Sequence, residues 1–190
     1  VRHLRITESN GLQKGENLYD PMQSDFLRST DERFRPVNIA NGPDGALYVV
    51  DLYRGILQHR VFMTSYLRRQ VEERGLDKHT GLGRIWRIVR DDPKAKGSGT
   101  QNLQGLTTLD CMSLLADPNK HTRLTAQRLL VERGSSPDAK DPIPYHLLRQ
   151  IAADHPSPLA RLHAAWTLEG LHSYSADFIA QRLASESDGK

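Results

Sequence analysis

The chain has 190 residues, of which 37% are hydrophobic and 26% charged, and a net charge of +3; its mean hydropathy is −0.58 and its sequence pI about 9.1. That is room for one or two globular cores, and no apolar run approaches the roughly 18 residues that cross a bilayer. The 26 basic residues are scattered among 23 acidic ones, which argues against a nucleic-acid surface, and the single Cys111 excludes an internal disulfide framework, a cysteine zinc site and a C-x-x-C-H haem attachment.

The sequence opens on VRHLRIT, with neither Met nor signal peptide, and reads as a piece of a longer chain. Val1 to Thr7 alternates weakly, and Ser9-Asn10-Gly11 predicts a turn that returns it as a hairpin. Lys14 to Ser29 is polar and carries little periodic signal. Strands are predicted at Val37 to Ala40 and Ala46 to Leu52, separated by the turn Asn41-Gly42-Pro43-Asp44-Gly45. In that turn Pro presets φ and Asp-Gly supplies the left-handed position. Along the second strand Ala46, Tyr48 and Val50 point one way while Leu47 and Val49 point the other, so burial on both faces is expected. A third strand is predicted at Ile56 to Gln58 and a fourth at Arg84 to Val89. Between them a helix capped by Thr64 and ended by Gly75 carries the apolar stripe Met63, Leu67, Val71. The expected unit is a four-stranded antiparallel sheet over residues 1–90 with a helical insertion at 62–75.

Residues 91–105, rich in Gly, Ser and Lys, read as a linker. Beyond it, over 106–190, Leu115-Ala116-Asp117 followed by Arg123, Ala126 and Leu130 returns as Ala152-Ala153-Asp154 followed by Arg161, Ala164 and Leu168. The offset is 37 residues at the Asp and 38 at the other three. Helix pairs are predicted near 106–116/121–133 and 144–153/158–171, with a further helix at 174–185. Paired helices at a period of about 40 residues predict an α-solenoid of the HEAT or armadillo type. Cys111 falls in an apolar helical pattern and reads as a small buried hydrophobe.

Five segments carry a resemblance over nearly the whole chain: STDERFRPV (29–37), GPDGALYV (42–49), DLYRGI (51–56), GRIWRI (83–88) and TAQRLL (125–130). In these the chain resembles the membrane-bound-dehydrogenase-like proteins of the planctomycete type. Those proteins are similar to soluble quinoprotein glucose and sorbosone dehydrogenases. The resemblance implies the last blade of a six-bladed β-propeller followed by HEAT-like repeats. It also implies an extracytoplasmic parent that uses pyrroloquinoline quinone to oxidise a sugar or alcohol and passes electrons to a cytochrome c domain or protein. The missing blades would then be this segment's first partners. No catalytic residue of the family maps onto this chain, so the segment alone is expected to be inactive.

Asp51, Tyr53 and Arg54 are the candidate cofactor-binding residues. Asp51 ends a buried strand and Arg54 follows in the turn, where a planar guanidinium suits a carboxylate of a quinone or an acidic substrate. The competing reading has Asp51 accepting N–H bonds within its own turn and Arg54 solvated. Arg84 and Trp86 share a strand face, which favours Arg–Trp stacking. His59 and His79 bracket the insertion without a ligand spacing, so no metal site is expected. Asp117, Arg123, Asp154 and Arg161 read as a structural ladder tying one helical repeat to the next, and Trp166 as solenoid core. Beside the dehydrogenase reading stands a non-enzymatic scaffold that binds protein or polysaccharide.

Overall fold

The computed structural model describes residues 1–9, 12–19, 25–91, 102–138 and 140–185. Most of the 91–105 linker, and the centre of the Ser9-Asn10-Gly11 turn, lie outside the described residues. Two compact units emerge: Val1–Ala40 with Leu47–Val89, and Asn41–Ala46 with Arg90–Lys190. No helix among the described residues is long and apolar enough to cross a membrane.

In the first unit β1 (Leu4–Ser9) and β2 (Leu12–Asn17) pair antiparallel, with Ser9 opposite Leu12 and Leu4 opposite Asn17. β2 falls in the stretch that lacked periodic signal, because nearly all of it is solvent-exposed and no apolar alternation is required. β3 (Pro36–Asn41), β4 (Leu47–Asp51) and β5 (Arg84–Ile88) form a separate sheet in the order β3-β4-β5. β4 and β5 are antiparallel, with Leu47 opposite Ile88, Val49 opposite Trp86 and Asp51 opposite Arg84.

The helix between β4 and β5, α1 (Ser65–Arg74), starts and stops where its sequence says. The Thr64 hydroxyl accepts from Leu67 N–H, and Gly75 ends it in the left-handed region at φ 60°. Its inward residue is Val71, which is buried. On its outer side Glu72 faces Arg60 at 3.8 Å and Glu73 accepts from Gln70.

Residues 56–58 do not form the expected strand. The Arg35 guanidinium donates to the carbonyls of Arg54 (3.0 Å) and Gly55 (3.1 Å), fixing the turn that leads into this segment. Gly55 also packs so closely on Leu76 that a Cβ there would lie 2.7 Å from the Leu76 carbonyl oxygen. The chain is pinned by α1's C-terminal turn instead of by a neighbouring strand.

The second unit is helical: α2 (Thr108–Ser113), α3 (Lys120–Gly134), α4 (Tyr145–Asp154), α5 (Pro158–Gly170) and α6 (Ala176–Ser185). Thr107 and Asp110 make a reciprocal capping box at α2, Asn119 caps α3, and Ser157 with Pro158 in the first turn starts α5. One apolar cluster holds the unit together, centred on the fully buried Cys111, Leu115, Leu130, Leu148 and Leu168. Cys111 is the small core residue its context predicts, and burial pushes its thiol pKa up. The unit also takes in the Asn41–Ala46 turn, where Gly45 has φ 78° and the Gly42 carbonyl accepts from Asn119 Nδ2 at 2.9 Å.

These observations correct the expected architecture. Among the described residues there are two small open antiparallel sheets, of two and three strands, and six helices. They make neither a propeller blade nor a clear solenoid. A blade needs four strands in one sheet; here the short Ile56–Gln58 run is diverted and β1-β2 pairs apart. A solenoid needs a run of stacked equivalent pairs. Here α2 is six residues long and gives way to a 3-10 turn at Leu114–Ala116, so the first pair is unlike the second.

Candidate functional site

Asp51 is the centre of the first unit. It is 1% exposed, and both carboxylate oxygens are taken by donors from its own sheet and turn. Oδ1 accepts from the backbone N–H of Arg35 (2.7 Å) and of Tyr53 (3.0 Å). Oδ2 accepts from Arg84 Nε (2.9 Å) and Trp86 Nε1 (3.1 Å). Burial by itself disfavours the charge, but the four bonds together outweigh it and hold the carboxyl below the usual carboxylate range. β4 delivers Asp51 to this place because 47, 49 and 51 share a face, and the register of β5 sets Arg84 and Trp86 on the same face.

Arg84 lies between two rings, its guanidinium carbon 3.9 Å from the Tyr53 centroid and 4.6 Å from that of Trp86. The Arg–Trp stacking expected from β5 is present, and Tyr53 completes a sandwich. Tyr53 has φ 49°, unusual for a non-glycine residue, and its hydroxyl donates to Asp31. Asp31 in turn accepts from Arg33 N–H at 2.9 Å and stands 3.8 Å from Arg84. The backbone bond from Arg33, then the Tyr53 hydroxyl, lower the Asp31 pKa.

The three candidate cofactor residues therefore part company. Asp51 and Tyr53 belong to a closed polar knot, in which Asp51 does accept a bond within its own turn. Arg54, half-buried, does not join it and lines a separate cavity beside α1. Sequence identified Asp51 and the Arg84–Trp86 stacking, but not Asp31 or Arg35. Asp31 is in a loop, and Arg35 acts through its backbone N–H, which any residue but proline supplies.

The proposed ladder also takes another form. Arg123 Nη1 donates to the carbonyls of Asp117 (2.6 Å) and Pro118 (3.0 Å), and Arg161 Nη1 to those of His155 (2.8 Å) and Pro156 (3.4 Å). Each Arg clamps the turn that leads into its own helix. The side chain of Asp117 accepts from Asn119 N–H, and that of His155 accepts from Ser157 N–H. The structural counterpart of Asp117 is thus His155, at the 38-residue offset; Asp154 is the exposed last residue of α4. Trp166 is not core but 57% exposed, because Ala160, His163, Ala164, Thr167 and Leu168 form the inward face of α5.

His59 caps the 3-10 turn Arg60–Phe62, its ring nitrogen accepting from Val61 N–H, and His79 has φ 60°. No group of three His, Cys, Asp or Glu side chains able to hold a metal occurs among the described residues.

Residues 1–92 match a family model described as a domain of unknown function, DUF7133. No curated protein and no solved structure matches the chain.

Proposed function

We propose that this chain is a non-catalytic scaffold segment that binds protein, within a parent resembling the membrane-bound-dehydrogenase-like proteins. The observation that supports the reading is an inversion on neighbouring strand residues. The carboxylate of Asp51 is sealed inside the first unit, while Val50 beside it is 36% exposed and Ile85, its partner on β5, is 66% exposed. Val37 and Ile39 of β3 are also open. Double-sided burial of β4 is therefore not achieved among the described residues. Contiguous apolar surface left in water is a common mark of a binding face, whereas a carboxylate already saturated with donors has little capacity left to bind or activate a substrate. Quinone-dependent oxidation and electron transfer to a cytochrome are assigned, on resemblance, to other parts of the parent.

Two measurements test the reading. The purified chain, incubated with pyrroloquinoline quinone and a panel of sugars and alcohols, is expected to give no substrate-dependent dye reduction; turnover overturns the non-catalytic assignment. Ile85→Lys is expected to change folding stability by no more than about 0.5 kcal/mol, as at a surface position. Loss of the folded sheet in that variant shows Ile85 to be core and removes the binding face.

A further inference from the structure

Between the 54–63 segment and α1 lies a cavity of about 400 Å³, within the size range of small-molecule sites. Its apolar lining includes Ile56, Leu57, Met63 and Val71, and its charged lining includes Arg54 and Arg68. Arg60, Glu72 and Asp77 also line it and are exposed, Arg60 standing 3.8 Å from Glu72. The two half-buried arginines are under-used. No hydrogen bond or ion pair occupies the Arg54 guanidinium among the described residues; its backbone carbonyl alone is engaged, by Arg35. Arg68 makes one long bond, Nη2 to the Arg60 carbonyl at 3.4 Å, and its Nε is enclosed with no acceptor. An enclosed N–H without a partner costs free energy, and each such group in a native fold calls for an explanation.

We infer that this cavity binds a small organic carboxylate with an apolar or aromatic body, the carboxylate held by Arg54 and Arg68 and the body lying against Ile56, Leu57, Met63 and Val71. Guanidinium forks match carboxylates in geometry as well as charge. A bare inorganic anion would leave the apolar walls unused. The site is independent of the open sheet face and of the sealed Asp51, so it stands or falls separately from the scaffold reading.

The test is heteronuclear NMR of the full chain titrated with 2-naphthoate, and in parallel with inorganic phosphate. Naphthoate is expected to shift the amides of the 54–63 segment and α1 with a dissociation constant at or below the millimolar range. In Arg54→Gln the affinity is expected to fall about tenfold or more, the loss expected for one charge-assisted bond. Arg68→Gln is expected to do the same, and Arg69→Gln, which removes an equal charge from an exposed neighbour outside the cavity, to leave it unchanged. Circular dichroism checks each variant; should Arg68→Gln loosen α1, Arg54→Gln decides, since that guanidinium makes no hydrogen bond or ion pair among the described residues. No shifts at millimolar naphthoate, equal losses in the Arg54 and Arg69 variants, or phosphate matching naphthoate each overturn the inference.

Discussion

Arg123 and Arg161 make the same clamp at two places 38 residues apart, each donating through Nη1 to the carbonyls six and five positions before it. The end of one helix leaves carbonyls that no helical N–H satisfies, and a long side chain one turn into the next helix reaches back to them. The clamps are not equally buried: Arg123 is 7% exposed, Arg161 more so.

Stability should follow that difference. Arg123→Gln removes two charge-assisted bonds and leaves two carbonyls in a largely enclosed site, at an expected cost of about 2–3 kcal/mol. Arg161→Gln, whose carbonyls are nearer water, should cost about 1 kcal/mol. Urea denaturation followed by circular dichroism measures both. Equal losses, or a larger loss at Arg161, contradict the assigned roles.

Asp51 is the corresponding keystone of the first unit. Asp51→Asn is isosteric but turns one acceptor oxygen into a donor, facing either two backbone N–H groups or Arg84 and Trp86. Breaking a buried charge pair in this way should cost about 3 kcal/mol or more. The pH dependence has a fixed sign. Because the folded-state pKa is lowered, the carboxylate's contribution is fully present above its unfolded value of about 3.9. It is lost as the pH falls through the folded value. The variant should therefore show a shallower acid limb than the parent in stability measured from neutral pH down to about pH 3. An unchanged limb places the acid sensitivity in Asp31, Asp110 and Asp141, whose pKa values are also lowered.

These keystones show how far sequence reasoning reached. Thr64 and Gly75 are local signals, since a cap or an end depends on the next few residues alone, and the helix they bound lies close to where periodicity puts it. Asp51 stood out because it ends an apolar strand. The failures lie where a distant partner decides. Apolar residues on both sides of β4 indicate that the strand prefers burial, but cannot tell whether this chain provides both covers. The 37-residue offset between Asp117 and Asp154 looked like one conserved role. In space the role is a side-chain acceptor before a proline, and His155 serves as well as Asp117. The Arg54–Arg68 cavity has no linear signature, because the two side chains come from a loop and a helix joined only in the fold.

His163 adds a second loss of stability toward acid pH, in the helical unit. It is 8% exposed, its Nδ1 lies 2.8 Å from Gln127 Oε1 of α3, and its carbonyl accepts the Thr167 hydroxyl. Burial, and then the charges of Arg123 and Lys120, lower its pKa below the usual 6.5. Above that value the imidazole is neutral in both the folded and the unfolded chain and contributes no pH dependence. Below it the unfolded chain takes up a proton that the folded one refuses, so stability falls as the pH drops, by up to about 1.4 kcal/mol per pH unit. Thermal melts between about pH 7 and pH 5 should show that loss in the parent and a smaller one in His163→Gln. Arg123→Gln supplies the cross-check, because removing a cation beside the imidazole raises its folded pKa and should also flatten the dependence, although that variant starts from a lower stability. A His163→Gln profile parallel to the parent's would show that protonation of His163 does not set the acid response of the helical unit.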